Sequence, residues 1–274
     1  EAGLGSDMGA EKFMHIKAPV GQKAPDCVVM NVTVRSMKLH GGAFGDRAGR
    51  RPSREELEAE NVEAILAGAR TNLDRHISNM AGFGMPVIVS INRFASDTDA
   101  ELAALADAAR ASGAHEVCLT EVHARGGEGG APLAKAVVRA VQDHVAAGRP
   151  FTPLFMPDAP VMDKVESIAK RLYGAGEVSV TPAAIKQLER FKAWGYGNLP
   201  VCMAKTQYSF SHDAGGLGAP SGFTLPVREF RLNAGAGFIV AILGNMMTMP
   251  GLPKRPAAAD MDMDEQGMLK GVFG

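Results

Sequence analysis

The stretch from Pro86 to Gly130 constrains the chain most, because it reads in one run as strand, charged turn, helix, strand and glycine-rich turn. Val87-Ile88-Val89-Ser90-Ile91-Asn92 is apolar and β-branched and passes into the polar Arg93-Phe94-Ala95-Ser96-Asp97-Thr98. From Asp99 to Ser112 the apolar residues Leu102, Leu105, Ala106 and Ala109 recur at helical spacing. Glu116 to Thr120 is a second strand, followed by Glu121-Val122-His123-Ala124-Arg125 and the cluster Gly126-Gly127-Glu128-Gly129-Gly130. Two strands joined by one helix run parallel, because the crossover brings the chain back to the same end of the sheet. Ligands of open α/β sheets sit outside the carboxyl ends of the strands, and both strands place their polar, aromatic and glycine residues there. The unit therefore predicts an enzyme-like cleft; with the strands as neighbours, Phe94 and His123 face it and hold a flat ring, the alternatives being core packing for Phe94 and a surface-loop place for His123.

Composition narrows the class. The 274 residues suffice for one large or two ordinary domains. A net charge of -1 gives no general attraction for nucleic acid or another polyanion. Cys27, Cys118 and Cys202 lie in apolar runs without C-x-x-C spacing, as small buried hydrophobes do. No apolar run approaches the roughly 20 residues of a membrane-spanning helix. Neither a Gly-x-Ser-x-Gly elbow nor a Walker A loop is present. No histidine pair has metal-ligand spacing on one helix. Asp262, Asp264 and Gly267 lack the later ligands and closing Glu of a calcium loop; no metal ligands are expected. The chain opens without Met on the glycine-rich Glu1 to Phe13, with no strand ahead of it. The expectation is the carboxyl-terminal portion of a longer protein.

In chain order, residues 1–25 read as loop with one helical turn near Gly9 to Phe13. Cys27 to Val34 reads as a central strand. Arg35 to Gly42 then reads either as a turn whose basic and imidazole groups suit an anion or as a solvated loop whose glycines serve backbone shape; the catalytic groups stay open, with Lys38 and His40 as candidates. Residues 43–52 read as a mobile surface insertion whose arginines Arg47, Arg50 and Arg51, with Arg54 beyond, form a solvated face. Ser53 caps a helix with the stripe Leu57, Val62, Ile65 and Leu66, and a second helix covers Asn72 to Met80 with the stripe Leu73, His76, Ile77 and Met80. Pro132 to Ala147 is a helix with Leu133, Ala136, Val137, Val141 and Val145 inward. Arg149 to Pro160 is a crossover, and Lys164 to Tyr173 a short helix. Thr181-Pro182 opens a helix to Trp194. Leu199 to Ala204 is a strand, 205–222 a long polar loop of the kind that carries function, and Phe223 to Leu232 a strand that Pro226 shifts toward an edge. Phe238 to Leu243 is a further strand. A proline-containing tail over 246–256 and a terminal turn and short strand complete the chain. The fold class expected is α/β: a parallel-sheet P-loop-type nucleotide domain remnant over 1–83, a Rossmann-like βαβ domain over 84–150, and a smaller α+β domain over 151–274.

Taken together, long words in order resemble the formate–tetrahydrofolate ligase family over essentially the whole chain. They are Glu1-Ala-Gly-Leu-Gly-Ser-Asp-Met-Gly-Ala-Glu-Lys-Phe13, Thr33-Val-Arg-Ser-Met-Lys-Leu-His-Gly-Gly42, Ile91-Asn-Arg-Phe94 with Asp97-Thr98, and Glu121 with Gly126 to Gly130. The densest are Leu199-Pro-Val-Cys-Met-Ala-Lys-Thr-Gln-Tyr-Ser209, Val227-Arg-Glu229, Ala234 to Val240 and Met247 to Lys254. The resemblance implies ATP-dependent ligation of formate to tetrahydrofolate through formyl phosphate, with Mg2+ and a monovalent cation. It implies pterin stacking on Phe94, Ala95, Leu119 and His123, and adenine binding by the Leu217 to Phe223 turn, namely Pro220, Ser221 and Gly222. Two positions depart from the family pattern: proline is common where Ala95 stands, and tryptophan where His123 stands, so His123 offers less stacking area. It also implies a cytoplasmic homo-oligomer, a tetramer, without nucleic-acid or membrane partners. The family's P-loop and formyl-phosphate groups have no counterpart in these residues, so the polypeptide alone is expected to be inactive. The alternative is a non-catalytic folate- or nucleotide-binding module working with a separate P-loop chain.

Overall fold

The computed structural model describes residues 1–45, 52–244 and 255–271. Arg47, Arg50 and Arg51 of the expected insertion, most of the expected tail over 246–256 and the family word Met247 to Lys254 lie outside them. The helical turn expected near Gly9 to Phe13 is present as α1 (Gly9–Lys12), but the helix continues where loop was expected, through a π turn, Phe13–Lys17, into α2 (Ala18–Gly21). Its glycines and Pro19 disguise it. Proline lacks the N–H that an α-turn needs, and the wider π turn ends just ahead of Pro19, in the first positions of α2.

Strand β1 (Val28–Val32) is shorter than expected, and the anticipated turn after it is helix α3 (Val34–His40). Thr33 explains the correction: its hydroxyl accepts the Ser36 N–H while the Ser36 hydroxyl accepts the Thr33 N–H, which closes a capping box. The single stripe expected after Ser53 is split into α4 (Arg54–Glu58) and α5 (Val62–Gly68), because the Asn61 side chain caps a new helix at Ala64. A π turn, Ala69–Leu73, joins α5 to α6 (Asp74–Ala81).

The opening motif folds as expected. β2 (Val87–Asn92), α7 (Asp99–Ala111) and β3 (Glu116–Thr120) form a βαβ unit. Its strands join β1 in a parallel sheet of order β1-β2-β3, with Val28 opposite Val87 and Ile91 opposite Leu119. The boundary expected between residues 83 and 84 thus falls between two neighbouring strands of one sheet. All of Val87 to Ile91 is buried, as the central strand of a parallel sheet covered on both faces requires. The glycine cluster is not a free turn. After α8 (Val122–Arg125), Gly127 already begins α9 (Gly127–Ala147). Ala136 and Ala140 of α9 pack on Ile88 and Cys118, with Leu133 and Val137 beside them. Val145, expected inward, is 64% exposed.

α10 (Val161–Ser167) continues through a π turn, Ile168–Tyr173, to β4 (Glu177–Val180), a strand not anticipated from sequence. α11 (Pro182–Ala193) starts at the Thr181 cap as expected. β5 (Val201–Ala204), β6 (Thr224–Asn233) and β7 (Phe238–Leu243) join β4 in a mixed sheet of order β4-β6-β7-β5. β6 is therefore interior, against the edge position expected from Pro226. Pairing with β7 begins only at Val227, so at Pro226 the strand has one partner, Ser179 of β4. A two-stranded ribbon, β8 (Asp262–Met263) with β9 (Leu269–Lys270), stands apart. One core runs through both larger sheets, from Val32 and Ile91 through Ile168 and Tyr173 to Val201, Phe230 and Ile239.

Candidate functional site

The carboxyl ends of β1, β2 and β3 lie side by side because the strands are parallel. Past β2, the Arg93 N–H donates to the Thr120 carbonyl at 3.1 Å, and the Arg93 side chain reaches Asp99 and Glu121 at 3.3 and 3.6 Å. The next turn closes on itself: the buried Asp97 carboxylate accepts the Phe94 N–H at 2.8 Å, and the Asp97 N–H donates to the Phe94 carbonyl. Burial pushes the Asp97 carboxyl above its usual pKa, against the pull of the Phe94 N–H. Thr98 then caps α7, in a box completed by Glu101. Across from this turn, the Arg35 guanidinium stacks 4.2 Å from the Phe94 ring centre and donates to the Ser96 hydroxyl at 3.2 Å.

The sequence candidates for the pterin fall at these ends. Phe94, half-buried, and Ala95, exposed, follow β2. Leu119, 37% exposed, lies on β3, and His123 is exposed on α8. α8 is set by Gly129: the Glu121 N–H donates to the Gly129 carbonyl, and a Cβ on Gly129 would stand 2.4 Å from the Glu121 carbonyl oxygen.

The two catalytic candidates part company. Lys38 is 1% exposed and spends its ammonium protons inside the protein, on the Glu101 carboxylate at 2.7 Å and the Leu57 and Ala59 carbonyls. Burial raises the Glu101 carboxyl, but bonds from Lys38, the Asn61 N–H and the Thr98 N–H outweigh it and hold its pKa below the usual value. His40 instead lines a cavity of about 1150 Å³ with Ser6, Asp7, Asn31, His76 and Phe210. Its Nδ1 accepts the Gly218 N–H at 3.1 Å, and the Gly218 carbonyl accepts from Asn72 at 3.0 Å. His40 therefore clamps the head of the turn that carries Pro220, Ser221 and Gly222. The Gly222 N–H donates to the Gly174 carbonyl at 2.8 Å, which seats that turn against the end of the π segment. Neither Lys38, the pterin candidates nor Pro220, Ser221 and Gly222 line the cavity.

Four side chains at these sites, His76, Asp7, Lys205 and Arg35, were not candidate site residues from sequence. His76 lay in an apolar stripe, yet its Nδ1 meets the Ser6 hydroxyl at 2.6 Å and its ring lies 4.5 Å from that of Phe210. Burial lowers its pKa to about 4 despite the opposing charge of Asp7. Burial likewise lowers that of His40, again opposed by Asp7. Asp7 itself pairs with Lys205, which is fully buried and also donates to the Thr206 and Ser209 carbonyls. Arg35 belonged to the presumed anion turn and stacks on Phe94 instead. The only sequence signals available were Asp7 between glycines and one polar residue on the stripe Leu73, His76, Ile77 and Met80. Among the described residues, no group of three or more His, Cys, Asp or Glu side chains stands close enough to hold a metal ion. Among them, too, no helix is long and apolar enough to cross a membrane.

The family model described as formate–tetrahydrofolate ligase matches residues 1–273. Proteins of that description are similar to the whole of this chain. The Paracoccus denitrificans protein is 49% identical over 273 residues, which make up 46% of its own length. The Ruegeria sp. protein is 48% identical over 46% of its length, and that of Limosilactobacillus fermentum 46% identical over 47%. The chain therefore spans about half the length of the curated relatives it matches. With a match that spans both sheets and every element described above, the chain belongs to the formate–tetrahydrofolate ligase family.

Proposed function

We propose that this chain forms part of an ATP-dependent ligase that joins formate to tetrahydrofolate, giving 10-formyltetrahydrofolate by way of formyl phosphate. The observation that carries the reading is the family match over residues 1–273. The placement of Phe94, Ala95, Leu119 and His123 at the carboxyl ends of adjacent parallel strands supports it. In the first step a formate oxygen attacks the terminal phosphorus of ATP and ADP leaves. In the second the folate N10 attacks the formyl carbon, the bond from that carbon to the phosphate oxygen breaks, phosphate leaves, and N10 gives up its proton. Both steps depend on positioning and on cationic and N–H groups around the anhydride.

In this reading Phe94, Leu119 and His123 stack the pterin, with Ala95 at its edge. Pro220, Ser221 and Gly222 hold the adenine, on a turn that His40 steadies through Gly218. Lys38 has no ammonium proton left for a substrate and serves the scaffold. Mg2+ is taken to enter with the nucleotide phosphates, and no step is assigned to it. The family setting, a cytoplasmic homo-oligomer such as a tetramer, is part of the same proposal.

One observation favours a second reading: the 274 residues contain no Gly-x-x-x-x-Gly-Lys-Ser/Thr loop. On that reading the chain is a folate- or nucleotide-binding module that works with a separate P-loop polypeptide. Calorimetric titration with tetrahydrofolate, alongside a ligase assay, tests both. The chain alone should bind tetrahydrofolate, should do so more weakly as Phe94→Ala or His123→Ala, and should form no 10-formyltetrahydrofolate. Unchanged affinity in both variants removes the pterin assignment. Ligase activity once the chain is joined in one polypeptide to the part of a family relative that it does not match supports the first reading; tetrahydrofolate binding without ligase activity in that fusion supports the second.

A further inference from the structure

We propose that Arg35 is a positioning residue for the pterin: its guanidinium backs one face of Phe94 and fixes the ring for stacking on the other. The inference rests on Phe94 being a pterin contact. Its geometry comes from two neighbouring strand ends. Arg35 sits in the first turn of α3, whose start is fixed by the Thr33–Ser36 capping box. Because β1 and β2 are parallel and adjacent, that turn abuts the loop after β2.

The guanidinium carbon lies 4.2 Å from the Phe94 ring centre, well inside the roughly 6 Å reach of a cation–π contact. One fork nitrogen donates to Ser96, two residues beyond Phe94, so the same side chain holds both ring and loop. The Nε is buried without a hydrogen-bond partner among the described residues. A guanidinium placed for hydrogen bonding would fill that donor; one placed for stacking need not. The backbone of Phe94 is fixed independently by Asp97. Arg35 therefore constrains what the backbone leaves loose, the ring itself. Tetrahydrofolate then meets a ring already ordered, which lowers the entropic cost of binding.

Tetrahydrofolate titrated into the full chain provides the test, with Arg35→Met, Arg35→Lys, Phe94→Ala and the double variant Arg35→Met/Phe94→Ala. Arg35→Met should weaken binding roughly two- to fivefold, the worth of one such contact. Arg35→Lys, which keeps a cation over the ring, should recover part of the loss. In the Phe94→Ala background, Arg35→Met should cost nothing further. A purely structural role predicts equal losses in both backgrounds, and that result overturns the inference. So does unchanged affinity in Arg35→Met while Phe94→Ala weakens binding, which leaves the pterin reading intact. Unchanged affinity in Phe94→Ala, or no binding by the unsubstituted chain at millimolar ligand, overturns both. If Arg35→Met does not fold, Arg35→Lys and Ser96→Ala take its place, with aromatic 13C NMR of Phe94 reporting whether the ring loosens.

Discussion

Lys205 carries its ammonium where no water reaches, against the Asp7 carboxylate, two backbone carbonyls and the face of Tyr173 at 5.0 Å. Burial lowers its pKa, opposed by Asp7. Removing one partner of such a pair strands the other charge, which costs more than the pair contributed. Lys205→Met should therefore destabilise the chain by about 3–5 kcal/mol in urea unfolding, and Lys205→Met with Asp7→Leu by much less. A loss under about 1 kcal/mol in the single variant would show that Asp7 finds water or another donor. His76 gives a pH-dependent counterpart. In the folded chain it titrates at about 4, whereas an unfolded histidine titrates near 6.5. As pH falls through that window, the unfolded chain binds the proton first. His76 should therefore reduce stability progressively from about pH 6.5 to about pH 4, and add no further loss below it. Urea midpoints across this range should show that slope, and His76→Gln should reduce it, leaving the part that His40 contributes.

At the scale of elements, α8 and α9 meet through a glycine that admits no side chain. A Cβ on Gly129 would stand 2.4 Å from the Glu121 carbonyl oxygen, 2.5 Å from its carbon and 2.9 Å from the Val122 nitrogen. These are backbone atoms that cannot swing aside. Gly129→Ala should cost about 1–3 kcal/mol in denaturant unfolding, as overpacking does. Gly127→Ala, with open space around it two residues earlier in the same helix, should be neutral or stabilising. Equal effects would mean that α8 yields to α9. The contrast also marks what was legible in the sequence. β2, α7, β3 and α11 could be read because their apolar runs and caps agree with where they sit. The continuation of the amino-terminal helix past Phe13 was hidden by glycines and Pro19. α3 was hidden because its basic residues looked like a ligand loop, although Thr33 and Ser36 already spelled a cap. β4 is four residues long and half-exposed, too short for a period-2 pattern to stand out. Within the candidate site, sequence supplied Phe94, Leu119 and His123 at the strand ends. It gave no means of finding Arg35 over Phe94 or Asp7 beside Lys205, since the fold makes each pairing between residues far apart in the chain.

For the whole molecule, the question is whether the two larger sheets unfold together. Sequence suggested three units, but β1 pairs with β2 across the first expected boundary. The buried cluster runs on from Ile91 of the first sheet through Ile168 and Tyr173 to Phe230 of the second. The Asp7–Lys205 pair ties the amino-terminal segment to the end of β5. A shared core of this kind makes partial unfolding expensive, because opening either sheet exposes apolar surface of the other. The chain should unfold in one cooperative step. Trp194, the sole tryptophan, ends α11 beside the second sheet and reports that half, whereas far-UV circular dichroism reports all helices and strands. Their urea transitions should coincide, and the calorimetric and van't Hoff enthalpies should agree. Phe230→Ala, which removes a ring that is 1% exposed, should cost about 3–5 kcal/mol and move both transitions by the same amount. A Trp194 transition that shifts while much of the dichroism signal stays in place would separate the sheets into independent units and favour the division expected from sequence.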